Sequence, residues 1–169
     1  WLRANEIPHT VVATKLDKIR PSKSPGRRRE LANACMLDPG DVVVKTKYST
    51  INYKDALSYN GSGKIMRKFP TNAGIDMAGT VEASGDSRFK AGDKVIVTGY
   101  DMGVAHDGGY SERVRVPADW IVRRPESMTA FDAMTLGTAG FTAALAIMHM
   151  QTNGLVPENG PVAVTGVTG

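Results

Sequence analysis

Alternation of apolar and polar residues predicts short β-strands through the middle of the chain. In residues 41–50, Val42, Val44, Thr46 and Tyr48 fall on one face and mostly polar side chains fall on the other. This alternation is typical of a strand with one buried face. Four similar short segments follow at 78–83, 94–98, 110–116 and 119–123. Short strands at regular spacing, separated by glycine-rich turns, indicate a partly open β-barrel that is antiparallel or mixed.

The hydrophobic period changes at Thr129. Thr129 and Asp132 have the spacing of a capping box, in which a hydroxyl and a carboxylate satisfy free amides of a helix's first turn. Residues 131–136 predict a short helix, Gly137 interrupts it, and residues 141–151 predict a longer, alanine-rich helix. The pattern therefore indicates a barrel followed by helices.

The last residues predict the start of a nucleotide-binding fold. Residues 162–164 are continuously apolar, as in a parallel strand that is buried on both faces. This strand leads into the glycine turn 165–169, and such a turn brings backbone amides close to a pyrophosphate. An ordinary strand-to-helix turn would have the same letters. The residue that selects NAD or NADP would lie after Gly169, so the sequence does not choose between them.

Three regions follow from these patterns. Residues 1–40 form a lead-in with a basic loop, residues 41–128 a β-barrel catalytic domain, and residues 129–169 the connecting helices with the first strand and glycine turn of a Rossmann domain. The predicted fold class is α/β. Because the chain starts at Trp1 and stops at Gly169 inside a motif, we expect it to be part of a longer protein.

Composition narrows the class of protein. The chain has 169 residues, of which 41% are hydrophobic and 22% charged, as in soluble globular proteins. It has no apolar run near the ~18 residues of a membrane span, so we expect no membrane partner. The net charge of +4 comes from residues 1–30, which hold eight Lys and Arg against three acids. Since Pro, Ser and Gly dilute these charges, a solvated linker is favoured over a nucleic-acid contact.

Metal and nucleophile signatures are missing from the sequence. Cys35 is the only cysteine, and His9, His106 and His149 are far apart, so no zinc-site spacing exists and no metal is predicted. There is no Gly-x-Ser-x-Gly nucleophile elbow. We find no secretory signal and expect a cytoplasmic location.

The loop from Asn52 to Asp55 carries the candidate chemistry. An amide, a phenol, an ammonium and a carboxylate follow one another directly after a predicted strand. These groups could orient a nicotinamide carboxamide, polarise a substrate carbonyl or relay a proton. The alternative is structural: Asn52 caps the following helical turn, Lys54 is solvated and Asp55 pairs locally. The spacing leaves both open.

Seven motifs in order along residues 52–144 resemble one known family. They read NYKDAL, GSGKIMRKFP, GIDMAGTV, AGDKVIVTGY, HDGGYSE, DWIV and GTAGFTAA. The resemblance is to zinc-free medium-chain dehydrogenase/reductases, within them to the acrylyl-CoA reductase branch and its quinone oxidoreductase-like relatives. It covers about residues 41–169 and implies a GroES-like catalytic barrel, the beginning of a Rossmann domain, and NADPH in the cleft between them. Ile75 stands where zinc-dependent relatives have a histidine, so the resemblance also implies a site without zinc.

The resemblance implies roles for particular residues. Tyr53 would contact both substrate and cofactor, with Asn52 as the second catalytic residue, in a positioning role. Thr138 and Thr142 would face the nicotinamide. Residues Thr168 and Gly169 would approach the cofactor phosphates. Lys64 and Arg67 could hold the anionic tail of coenzyme A, although solvated surface charge is the simpler interpretation.

The implied reaction is reduction of a C=C bond conjugated to a thioester, and the implied assembly is a homodimer. Three alternatives remain open: a quinone or enone reductase with the same motifs, a zinc alcohol dehydrogenase, and a non-catalytic GroES-like binding module that uses its basic N-terminal segment.

Overall fold

The chain forms one five-stranded antiparallel sheet in a computed structural model that describes residues 37–166. The strands are β1 Asp41–Ser49, β2 Asp76–Ser84, β3 Lys94–Thr98, β4 Arg113–Pro117 and β5 Val122–Arg123. Their order in the sheet is β4-β1-β2-β3-β5, and every neighbouring pair is antiparallel. The basic N-terminal segment, with His9 and Cys35, lies outside the described residues.

Two predicted strands begin later than their sequence patterns indicated. The fourth starts at Arg113 rather than at Tyr110, because the amides of Gly109 and Tyr110 donate to the carbonyls of Gly74 and Ala73 instead of pairing with β1. The fifth is only two residues long, since Ala118–Trp120 forms a 3₁₀ turn before it. In both places the chain uses its backbone groups in loops rather than in the sheet.

The barrel core is made by the inward faces of the strands. The register places Val42 opposite Val116 and Val44 opposite Val114, and all four side chains are buried. Buried residues of β2 and β3 join them in one cluster. Each fully buried side chain of this size contributes about 1.5–3 kcal/mol. The predicted alternation in 41–50 therefore holds for the first half of β1.

Residues 37–166 contain two α-helices. Helix α1 spans Tyr53–Asn60 and ends at Gly61, which adopts the left-handed conformation with φ 68°. Helix α2 spans Ala130–Thr152. The predicted capping box begins α2: the Asp132 amide donates to Thr129 Oγ1 at 3.1 Å, and the Thr129 amide donates to Asp132 Oδ2 at 3.0 Å.

Helix α2 is broken at the glycine where the sequence predicted an interruption. Gly137 has φ 51° and ψ −156°, far from helical values. Before the break, Ala130, Ala133 and Met134 are buried in a small cluster with Ala78 of β2. After it, residues 141–149 are exposed. The part of α2 before the break is therefore packed against the sheet, whereas the part after it is exposed.

By length and composition alone, α2 could cross a membrane. The break at Gly137 argues against this, because it leaves a continuous helical run of residues 138–152. At 1.5 Å per residue this run is about 22 Å long, shorter than the ~30 Å hydrocarbon core of a bilayer. The earlier part of α2 is in contact with the sheet.

The prediction of a strand at 162–164 is wrong for this structure. Residues 161–166 lie outside every strand, and Val162 and Val164 are exposed. A parallel strand buried on both faces needs neighbours on each side. Within residues 37–166, all strands belong to the antiparallel sheet and none pairs with this segment. Of the glycine turn, residues 167–169 lie outside the described part.

Candidate functional site

The loop between β1 and α1 is fixed by Asp55. The amide of Asn52 donates to Asp55 Oδ2 at 2.9 Å, which closes the first turn of α1. The other carboxylate oxygen accepts from the amides of Gly74 at 3.1 Å and Ile75 at 3.2 Å. Asp55 is only 5% exposed. Its pairing is thus local, as the structural alternative expected, and also long-range, because it ties α1 to the segment that enters β2.

A second carboxylate, Asp76, joins two distant segments at the start of β2. Its Oδ2 accepts from Asn52 Nδ2 at 2.9 Å and from the Thr138 amide at 2.7 Å, and its Oδ1 accepts from Thr138 Oγ1 at 2.6 Å. The side chain is completely buried. Burial of a carboxyl group is costly unless it has hydrogen-bond partners, and these three donors supply them. Asp76 therefore connects the Asn52 loop to α2.

The break in α2 makes this connection possible. A Cβ atom on Gly137 would lie 2.8 Å from Asp76 Oδ2 and 3.0 Å from Thr50 Cγ2. The backbone angles of Gly137 also belong to a region that is nearly exclusive to glycine. Only glycine lets the helix approach closely enough for Thr138 to present both its amide and its hydroxyl to Asp76.

Tyr110 lies near Asp55. Its hydroxyl donates to the Thr50 carbonyl at 3.2 Å, and its ring lies against Gly74, where a Cβ would be 2.7 Å from Tyr110 Cδ1. Partial burial, followed by the negative charge of Asp55 and then that of Asp76, raises the pKa of Tyr110 to about 12. Tyr110 is therefore a neutral phenol at physiological pH.

The structure brings some of the predicted site residues together and leaves others apart. Asn52 and Thr138 meet on Asp76. Thr142 lies one turn further along α2, where its hydroxyl donates to the Thr138 carbonyl at 2.8 Å. Tyr53, next to Asn52, is 77% exposed. The predicted phosphate contacts, Thr168 and Gly169, lie outside the described residues.

Sequence reasoning assigned no role to Asp76 or Tyr110. A signal for Asp76 was present, because it is the only charged residue in the apolar run 75–79. A signal for Tyr110 was weaker: it is an aromatic residue directly after two glycines. Neither signal identifies a partner, since the partners come from loops far away in the sequence.

Other candidate groups have structural partners. His106 Nδ1 is 3.0 Å from the Asp107 carbonyl oxygen, and its ring lies edge-on to Trp120. Arg67 forms an ion pair with Asp101, which weakens the expectation that it holds a coenzyme A tail. Across residues 37–166, no group of three or more His, Cys, Asp and Glu side chains is placed to hold a metal ion.

Comparison with known proteins identifies the family. Residues 38–126, more than half of the chain, match the model of the alcohol dehydrogenase GroES-like domain. The chain belongs to this family. GroES-like relatives with known names include the acrylyl-CoA reductase AcuI of Ruegeria pomeroyi, 53% identical over 79% of this chain and 40% of that protein. The quinone oxidoreductase of Sus scrofa is 31% identical over 64% of this chain and 32% of that protein.

Solved structures of GroES-like oxidoreductases agree with this assignment. The yhdH oxidoreductase of Salmonella enterica, in complex with NADP, is 50% identical over 80% of this chain and 42% of its own, with a TM-score of 0.75. The Bacillus subtilis protein yhfP, with NAD bound, is 50% identical over 79% of this chain and 40% of its own, with a TM-score of 0.72. The chain thus spans about two fifths of these relatives. The predicted GroES-like fold and the resemblance to acrylyl-CoA and quinone reductases are confirmed.

Proposed function

We propose that this chain supplies the catalytic barrel of an NADPH-dependent, zinc-free reductase that acts on the C=C bond of an enoyl thioester of the acrylyl-CoA type. The observation that carries the proposal is the convergence of Asn52 and Thr138 on the buried carboxylate of Asp76. The 53% identity to an acrylyl-CoA reductase supports the choice of substrate class. The NADP in one structural relative supports the choice of cofactor, although another relative holds NAD.

The polar groups around Asp76 fit the nicotinamide end of the cofactor. Thr138 donates its hydroxyl proton to Asp76, so Thr138 Oγ1 can only accept a further hydrogen bond. Asn52 turns its nitrogen to Asp76, and its side chain also accepts from the first turn of α1 in a capping box, so Thr138 Oγ1 is the acceptor that faces a ligand. A nicotinamide carboxamide carries an NH₂ group that donates to such acceptors. When bound there, NADPH supplies the hydride that the reaction requires.

Tyr53 is the residue that we assign to the substrate. Addition of hydride to the β-carbon moves an electron pair onto the thioester oxygen, and a proton then reaches the α-carbon. A hydrogen-bond donor must stabilise the charge on that oxygen. The hydroxyl of Thr138 is already committed to Asp76, whereas the Tyr53 phenol is exposed beside Asn52. A phenol carries an O–H group, so Tyr53 can donate this hydrogen bond.

The zinc-free mechanism rests on the residues at the entrance to β2. Ile75 cannot ligate a metal, and it is buried beside Asp76. The two carboxylates nearest to it, Asp55 and Asp76, are occupied by hydrogen-bond donors of the chain itself. The substrate oxygen would therefore be stabilised by a hydrogen bond rather than by a metal ion.

The decisive experiment follows NADPH oxidation by the full-length protein with acryloyl-CoA, after incubation with a chelator and without it. We expect equal turnover in both samples. No turnover of acryloyl-CoA would overturn the proposed substrate class, and activity that is lost with chelator and restored by zinc would overturn the zinc-free mechanism. A parallel assay with a quinone tests the second candidate, which the identity to the Sus scrofa quinone oxidoreductase favours.

A non-catalytic role makes the opposite prediction. A binding module would show no NADPH binding at full length, and it would bind RNA in a salt-dependent way that is lost when residues 1–30 are deleted. We further propose a cytoplasmic homodimer, which gel filtration with light scattering and fractionation of the source cells would test.

A further inference from the structure

We infer that Asp76 is a positioning residue that sets the hydrogen-bond polarity of the cofactor site, that is, whether Thr138 accepts a hydrogen bond from a ligand or donates one. Asp76 makes Thr138 an acceptor and holds it to the Asn52 loop. This inference rests on the proposed function. It concerns a residue that touches neither substrate nor cofactor in the proposed arrangement and that acts through its two partners.

The polarity follows from the chemistry of a carboxylate. The Thr138 hydroxyl donates to Asp76 Oδ1 at 2.6 Å, and a hydroxyl has a single hydrogen to donate. The Thr138 amide donates to Oδ2 at 2.7 Å, which fixes the residue at a second point. Thr138 thereby loses the freedom of a hydroxyl to act as either donor or acceptor. Its lone pairs are the only capacity left for a ligand.

The anchor for these contacts is rigid. Asp76 is the first residue of β2, a strand paired on both edges, and it lies opposite Thr98 of β3. Its carbonyl accepts from Ser49 Oγ of β1 at 2.6 Å. A group held by packed sheet strands positions its partners more accurately than a loop does. Asn52 and Thr138, which come from a loop and a broken helix, take their placement from this strand.

Replacement of Asp76 by asparagine should reverse the polarity. Two N–H groups point at the Oδ2 position and one hydroxyl at the Oδ1 position. The new amide oxygen fits the two N–H groups, so the new NH₂ must face Thr138 Oγ1 and donate to it. The Thr138 hydroxyl hydrogen then turns away from residue 76. The cofactor site would present a donor where the wild-type protein presents an acceptor.

The experiment compares two cofactors in the full-length protein by fluorescence titration. One is NADPH, and the other is its acetylpyridine analogue, in which a methyl ketone replaces the carboxamide and removes the NH₂ donor. We expect wild-type protein to bind NADPH about tenfold more tightly than the analogue, a typical difference for one hydrogen bond. Asp76→Asn should abolish or invert this ratio. A role limited to stability would lower the melting temperature and leave the ratio unchanged.

Variants at Thr138 keep the inference testable if Asp76→Asn does not fold. Thr138→Val should bind NADPH and the analogue with equal affinity, whereas Thr138→Ser should keep the wild-type ratio of the two affinities. Thr135→Val is the matched control, because Thr135 is exposed on the same helix and donates to the Phe131 carbonyl. A wild-type ratio in Thr138→Val overturns the inference. Failure of wild-type protein to bind either dinucleotide would instead overturn the proposed function, so the two failures are distinguishable.

Discussion

Gly137→Ala is the substitution that tests the architecture of the site most directly. It adds one methyl group at the point where α2 passes Asp76. The new Cβ would lie 2.8 Å from Asp76 Oδ2 and 3.0 Å from Thr50 Cγ2, both closer than side-chain carbons normally approach. Asp76 cannot give way easily, because it is fully buried and bound to three donors.

The expected loss of stability has two parts. Alanine at φ 51° and ψ −156° is strained by about 1–3 kcal/mol, as for other residues forced into a glycine-only region. Displacing the Asp76 carboxylate weakens a hydrogen bond to a charged group, which contributes about 1.5–3 kcal/mol. Together they predict a decrease of about 2.5–6 kcal/mol in the free energy of unfolding.

Urea denaturation of the full-length protein, followed by circular dichroism, measures this decrease. Gly61→Ala is the matched control: Gly61 has φ 68°, but a Cβ added there would meet no atom within 4 Å, so the substitution brings backbone strain without a steric clash. We expect Gly61→Ala to lose about 1 kcal/mol. If Gly137→Ala loses no more than Gly61→Ala, the close approach of α2 to Asp76 is not a feature of the folded protein.

Three further predictions concern single side chains. Tyr53→Phe should lower kcat with acryloyl-CoA about 100-fold, which is the effect of removing one oxyanion donor. Tyr59→Phe, on the same helix, should leave kcat unchanged. Equal kcat in the two variants would remove Tyr53 from the mechanism. Thr129→Ala should destabilise the protein by about 1 kcal/mol in thermal unfolding, because the helix cap is lost. Thr135→Ala, within α2, should be neutral or slightly stabilising. A larger loss of stability in Thr135→Ala than in Thr129→Ala would contradict the capping contact. Because the pKa of Tyr110 is raised from 10.0 to about 12, its contribution to stability is complete below pH 10 and is lost as the pH rises to about 12. Tyr110→Phe should therefore remove one late-titrating phenol from the ultraviolet absorbance and flatten that decline, and an unchanged titration curve would argue against the assignment.

The parts of the fold that depend on local pattern were predictable. The alternation in β1, the capping box at Thr129 and the interruption at Gly137 each arise from residues within a few positions of one another. The sequence also placed Asn52 and Thr138 among the site residues, although it did so through a family resemblance rather than through their spacing.

The parts that depend on distant partners were not predictable. The role of Asp76 requires that residues 52, 76 and 138 meet, and no local pattern records that meeting. The late start of β4 depends on the Gly109 and Tyr110 amides reaching the segment before β2. The apolar run 162–164 has the composition of a buried strand, but composition does not supply the neighbouring strands that such a strand needs.

Helix α2 is fixed to the sheet at one end only, among the residues that the structure describes. The fixed end consists of Ala133 and Met134, which are buried against the sheet, and of Thr138, which is bound to Asp76. The part of the helix beyond Gly140 is exposed. Because Asp76 also accepts from Asn52, the Asn52 loop and the start of the second part of α2 are held by the same residue. Residues 141–152 form a run about 18 Å long, so a rotation of about 10° at its start would displace its end by roughly 3 Å.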